Sequence, residues 1–190
     1  MLPMTLPTLT TPRTRITVAR PADAPALARY YARNAAHLAP WEPKRPGGYH
    51  DEASWRERLE DMGEDIAEGF ALPFVARLPE VPDEIFAVCN LSAIARGPFQ
   101  ACAMGYSIDA GHEGQGLMRE VVGAVVGYAL GPLGLNRVMA SHLPENTRSA
   151  ALLAKLGFER EGMARRYLKI AGEWRDHVLN SKLAPESADL

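Results

Sequence analysis

Gly111, Gly114 and Gly116 stand between one apolar run that ends at Ile108 and another that begins at Leu117. Glycine lets a backbone approach a ligand closely. The first N–H groups of a helix opening at Leu117 lack partners, and the helix dipole there favours negative charge. The guest suited to such a turn is a diphosphate. Two commoner phosphate motifs fail on their residues. A P-loop ends in Gly-Lys-Ser/Thr, where Gly116-Leu117-Met118 stands. A dinucleotide fingerprint wants a further Gly or Ala at the place of Arg119. Taken alone, the loop fits a plain strand-to-helix turn equally well.

The elements around the loop must aim it. Alternation in Arg15-Ile16-Thr17-Val18 predicts a strand, and Pro21-Ala22-Asp23 opens a helix to about Arg33. Ala39–Gly48 carries three prolines and two glycines and is a loop. Residues 51–67 read as one amphipathic helix, with Trp55, Leu59, Met62 and Ile66 on its apolar face. Strands follow at 72–78, 84–94 and 99–108, the last two joined by a hairpin at Arg96-Gly97-Pro98. Residues 117–130 form a helix that Gly131-Pro132 stops. A short strand at 137–141 leads to a helix capped by Asn146 and ended by Gly157. Two strands, 158–170 and 174–181, close the chain around Ala171-Gly172-Glu173. The order β-α-α-β-β-β-α-β-α-β-β implies a mixed α/β sheet with a central βαβ unit. Residues 1–12 are expected to form a flexible leader, 13–183 one domain and 184–190 a tail.

Composition narrows the functional classes. With a net charge of −2 there is no broad basic field, so direct nucleic-acid binding is not expected. No apolar run reaches the length of a membrane span. The two cysteines, Cys89 and Cys102, lie in apolar runs without metal or redox spacing and are read as buried free thiols. That reading suits a reducing, cytoplasmic setting. His37, His50 and His112 lack ligand spacing, so no metal is expected.

The second half adds a longer signature. Asn146-Thr-Arg-Ser149-Ala-Ala-Leu-Leu-Ala-Lys155-Leu-Gly157-Phe158-Glu-Arg-Glu161-Gly162 resembles the Asn-x-x-Ser…Leu-Gly-Phe…Glu-Gly signature of the GNAT acetyltransferases. Together with Gly105-Tyr-Ser-Ile108 and Glu113-Gly-Gln-Gly-Leu-Met118 it looks like the RimJ branch, as do Pro40-Trp-Glu-Pro43, Arg96-Gly-Pro-Phe99 and Gly172-Glu-Trp-Arg-Asp-His-Val-Leu179. The resemblance spans roughly residues 13–181. It implies a GNAT fold of the α/β (α+β) class: a mixed, mostly antiparallel sheet of six to seven strands, a splayed central strand pair and flanking helices. It also implies acetyl-CoA as cosubstrate and a protein N-terminus as acceptor, the branch's acceptor being the N-terminal alanine of a small-subunit ribosomal protein. The assembly expected is a monomer or homodimer.

By the same resemblance, Tyr106, Ser107 and Ile108 line the thioester, and Glu113, Gly114, Gln115, Gly116, Leu117 and Met118 hold the pyrophosphate. Asn146 holds the pantetheine arm and Ser149 faces the sulfur. Lys155 and Phe158 complete the coenzyme side, while Trp41, Glu42 and Tyr167 face the acceptor. Two positions depart from the family's Gln/Arg-x-x-Gly-x-Gly/Ala loop: Glu113 and Met118. Glu113 brings a carboxylate to a phosphate site, so its side chain is expected to turn away. A third departure is Ala103, where many relatives carry a catalytic Glu. A free α-amine, with a pKa of about 8, is roughly one-tenth neutral at pH 7, whereas a lysine amine is neutral at only about a few parts in ten thousand. Weak base equipment therefore suits an α-amine. The base candidates are His142 and Glu42. Two other readings stay open on these residues: acetylation of a small-molecule amine, such as an antibiotic or polyamine, and coenzyme A binding without catalysis.

Overall fold

The structure, a computed structural model, describes residues 6–185. The outer parts of the expected leader and tail, residues 1–5 and 186–190, lie outside the described residues. Among the described residues eight strands form one sheet in the order β1-β2-β3-β4-β5-β6-β8-β7. They are β1 Thr8–Thr10, β2 Arg15–Val18, β3 Leu72–Arg77, β4 Ala87–Ala95, β5 Ala101–Ile108, β6 Arg137–His142, β7 Glu159–Ile170 and β8 Glu173–Leu183. The helices are α1 Ala24–Leu38, α2 Glu52–Asp61, α3 Gly63–Glu68, α4 Leu117–Leu130 and α5 Thr147–Lys155. All neighbouring strands are antiparallel except β5 and β6.

The eighth strand is one more than the six to seven expected, and it lies within the segment expected as a leader. Thr8–Thr10 pairs with β2 through Thr8↔Thr17 and Thr10↔Arg15. The physical reason is alternation: Leu9 turns its side chain to the core while the flanking threonines face out. The predicted single helix over 51–67 is also divided. Met62 ends α2 and Gly63 opens α3. A glycine costs a helix interior about 1 kcal/mol relative to alanine, and the break falls there.

Helices cover both faces of the sheet. On one side α4 buries Leu117, Val121, Val122, Val125 and Val126 against Phe74, Leu91, Cys102 and Val138. Each such side chain contributes about 1.5–3 kcal/mol when fully buried. On the other side α1 and α2 pack Leu27, Tyr30, Leu38 and Leu59 onto Val75, Ile85 and Val88. β3 alternates between these layers, Phe74 facing α4 and Val75 facing α1.

The parallel seam in the middle positions the site. β5 and β6 pair only from Ala101↔Arg137 to Met104↔Ala140. Beyond that point β5 stays with β4 as far as Ile108↔Ala87, and β6 stays with β8 as far as His142↔Val178. The strands part, as expected for a splayed central pair, and the edge of Gly105–Ile108 that faces β6 has no strand partner among the described residues.

Candidate active site

The turn between β5 and α4 is built on Asp109. Its carboxylate accepts hydrogen bonds from the Gly111 N–H (2.9 Å), from Asn34 Nδ2 (3.0 Å) and from the Arg33 guanidinium. The Asn34 side chain in turn accepts from the Ala110 N–H (3.0 Å). Burial alone would raise the Asp109 carboxyl, but the bonds from Arg33, Asn34 and Gly111 outweigh it and hold the group well below the usual carboxylate range. α1 thus fixes the start of the loop.

Arg13 braces the other end. It donates to the Gln115 carbonyl (3.0 Å) and pairs with Glu120 (2.6 Å), which also accepts from Thr11. Between the braces the backbone is exposed. Gly116 caps α4 in the left-handed region at φ +77°, and no side chain caps the helix. Among the described residues, the N–H groups of Gly114, Gln115 and Gly116 find no acceptor, and those of Leu117, Met118 and Arg119 open the helix. A Cβ at Gly114 would meet nothing within 4 Å. A row of free donors at an uncapped helix start, with open space over it, fits a diphosphate. The Leu117 and Met118 side chains are buried in the core, so contact there is through backbone alone.

Glu113 is turned to α5 and α1. It pairs with Arg148, and His37 Nε2 lies 3.5 Å from its carboxylate. The off-pattern carboxylate is thereby compensated rather than aimed at a phosphate.

The second half of the site starts with Asn146. Its side chain accepts from the Ser149 N–H (3.1 Å) and so caps α5. Ser149 Oγ lies 2.7 Å from the Tyr106 hydroxyl, across the splay from β5. The next residue of β5, Ser107, faces the opposite layer and shares a hydrogen bond of 2.9 Å with Tyr30. Burial pushes the Tyr106 hydroxyl up to about 12 and the Tyr30 hydroxyl above the tyrosine range.

Glu42 sits on the α1 side. Its carbonyl accepts from the Ala171 N–H (2.9 Å), which ties the Trp41 loop to the β7–β8 turn. Its carboxylate makes no hydrogen bond or ion pair among the described residues, yet it is partly buried, and burial raises its pKa against the pull of Arg45. Its charge also acts on the Tyr30 and Tyr31 hydroxyls, which places it near the Ser107 end of β5. Trp41 stands exposed on the same loop. Tyr167 lies in a bulge of β7, exposed, with its ring 5.6 Å from that of His177.

Three sequence expectations fare differently. Phe158 is buried in the core cluster beside Leu153 of α5, so what it does here is pack inward. Lys155 is the exposed last residue of α5, about two turns from Ser149, and nothing joins it to the site. The His142 ring is buried, with Nδ1 2.8 Å from the Leu143 carbonyl, and no hydrogen bond connects it to Ser149, Tyr106 or Glu42. Sequence reasoning missed the Asp109 hub. An Asp two residues before a Gly, at a strand-to-helix turn, was the available signal.

A strand that parts from its neighbour beside an uncapped glycine turn defines a class. A family model for the acetyltransferase (GNAT) domain matches residues 13–159, and the chain belongs to the GNAT acetyltransferase family. It is an acetyl-CoA-dependent N-acetyltransferase, and the free donors at Gly114–Arg119 fit the pyrophosphate of that cosubstrate. Within the family, it is 42% identical to the [ribosomal protein uS5]-alanine N-acetyltransferase of Escherichia coli (strain K12), over 94% of this chain and 91% of that one. The crystal structure of the ribosomal-protein-S5-alanine acetyltransferase from Vibrio fischeri matches with a TM-score of 0.90 at 36% identity, covering 95% of this chain and 98% of that one. Mycobacterium smegmatis RimJ, in complex with CoA-disulfide, matches with a TM-score of 0.88 at 29% identity, covering 99% and 91%.

Proposed function

We propose that this enzyme acetylates the N-terminal alanine of a small-subunit ribosomal protein, uS5. The observation that carries the reading is the near full-length match to an enzyme of that name, at 42% identity. The site supports it. Ala103 leaves β5 without a built-in carboxylate base, and an α-amine needs less help than a lysine to lose its proton. The setting is the cytoplasm, in keeping with two buried free thiols, Cys89 and Cys102.

Acetyl-CoA, when bound, supplies an acetyl group on a sulfur that leaves as thiolate. The N–H groups of Gly114–Arg119 hold its pyrophosphate. Asn146 holds the pantetheine arm while capping α5. The unpaired edge of Tyr106–Ile108 offers backbone donors to the acetyl carbonyl. Ser149, in the first turn of α5, faces the sulfur, where the helix dipole favours negative charge. On the acceptor side, Trp41 and Tyr167 frame an approach past the β7–β8 turn, and the free Glu42 carboxylate attracts the cationic N-terminus. Of the two base candidates, Glu42 is the better placed, because His142 is buried and bonded to its own turn. Glu42 accepts the proton that the amine must lose, directly or through water, and its raised pKa suits that task.

The test is mass spectrometry of ribosomal N-terminal peptides from cells with and without the gene. Loss of acetylation at the uS5 alanine is expected. Unchanged acetylation at every ribosomal N-terminus refutes the substrate. Turnover of small amines but of no alanine peptide points instead to the small-molecule class.

A further inference from the structure

The hydrogen bond between Tyr106 and Ser149 crosses the splay and joins two halves of the site that no strand pairing connects there. Serine hydroxyls in a first helical turn ordinarily rotate, and one alone would share its proton between solvent and nearby backbone. Here the residue is held twice. Its N–H is engaged by Asn146 Oδ1 at 3.1 Å, and its Oγ by Tyr106 at 2.7 Å.

A direction for that bond follows from chemistry. A phenol is a stronger hydrogen-bond donor than an aliphatic alcohol. Burial keeps the Tyr106 hydroxyl protonated throughout the neutral range. Tyr106 therefore donates and Ser149 Oγ accepts. The serine's own proton is then excluded from the Tyr106 side and left free for the cleft. Its O–H is also polarised by the bond behind it, as in any chain of hydrogen bonds.

We propose that Tyr106 is a positioning residue, whose hydroxyl sets the direction and donor strength of the Ser149 proton toward the leaving sulfur. The proposal rests on the reading that Ser149 faces that sulfur. It requires no proton to leave Tyr106. The phenol acts through the serine and touches neither the acetyl group nor the acceptor.

The experiment measures the ionisation of the thiol of bound CoA, through its thiolate absorbance, in wild type, Tyr106→Phe, Ser149→Ala and the double variant. A directed donor favours the thiolate, so in the wild type the bound thiol is expected to titrate below a free thiol. Ser149→Ala raises the thiol pKa, and Tyr106→Phe raises it by a smaller amount. The double variant matches Ser149→Ala, because Tyr106 has no route to the sulfur except through Ser149. In turnover, Tyr106→Phe lowers kcat about fivefold, the worth of one hydrogen bond, and leaves the KM for acetyl-CoA within about twofold. Phe keeps the ring, so an unchanged melting curve certifies the fold. If Ser149→Ala shifts the thiol and Tyr106→Phe does not, or if the two effects add in the double variant, the positioning role is overturned while Ser149 keeps its place. If Ser149→Ala leaves the thiol unmoved, the underlying reading of the sulfur site is what fails, and the proposal falls with it.

Discussion

Replacing Glu42 by Gln separates recognition of the acceptor from loading of acetyl-CoA. The carboxylate is partly buried and has no ion-pair partner among the described residues, while its backbone is anchored by Ala171. The substitution therefore removes a charge and keeps the loop. A charge-assisted hydrogen bond from an ammonium to such a group is worth about 2 kcal/mol. That corresponds to a rise of about 30-fold in the KM of an alanine-initiated peptide. The KM for acetyl-CoA should change by less than about twofold, because no hydrogen bond or ion pair among the described residues joins the Glu42 carboxylate to the loop at Gly114–Arg119. Stability moves the opposite way. A carboxyl whose folded pKa is raised by burial binds more protons folded than unfolded, so it stabilises the fold less as pH climbs through the folded value. Glu42→Gln removes that penalty and should melt higher than wild type at neutral pH. The assay is initial-rate kinetics with each substrate varied in turn, beside calorimetry. Equal effects on both KM values, or an unchanged peptide KM, refute the assignment of Glu42 to the acceptor.

Three further outcomes are expected. Asp109→Asn should cost about 2 kcal/mol, discounted for the partial exposure of Arg33, and should weaken CoA binding by calorimetry as the loop loosens. Because its folded pKa is depressed, the carboxylate's contribution is present above the unfolded value and lost as pH falls below about 4, so the variant's melting temperature should vary less than wild type's in that acid range. Asn146→Ala removes the cap of α5 and should cost about 1 kcal/mol, or about 3 °C in melting temperature. Gly116→Ala strains a residue held at φ +77° and should lower CoA affinity in a calorimetric titration, even though the nearest atom to the new Cβ, Arg13 Nη2 at 3.4 Å, can swing aside.

The local parts of this fold are legible in the sequence and the long-range parts are not. α4 runs from Leu117 to Leu130 as its apolar spacing and the Gly131-Pro132 stop require. The Asn146 cap and the turn at Gly97 follow from residue type as well. β1 escapes because three residues carry too little alternation to stand out. The break at Gly63 escapes because the apolar face of Leu59, Met62 and Ile66 continues across it. In the site, the loop and Ser149 are readable from spacing and resemblance. The pairs that organise them are not: Arg33 with Asp109, Glu113 with Arg148 and Tyr106 with Ser149 join positions that only the folded sheet brings together. Phe158 is a motif residue whose place in the core the spacing alone does not reveal.

The four residue pairs between β5 and β6 have a consequence for engineering. Among the described residues they are the only strand pairing that joins the five strands before the glycine turn to the three after it. The enzyme is therefore two leaves bound along a short spine, with α4 as the clasp. Glu42 and Tyr30 belong to the first leaf, Asn146 and Ser149 to the second. A library confined to the first leaf, with Tyr106–Ile108 of β5 held fixed, would alter which amine is accepted while leaving the sulfur end of the machine as it stands. Cutting the chain at Gly131-Pro132, exposed at the start of the turn whose Leu133 packs into the core, would ask whether the leaves can find each other as separate pieces.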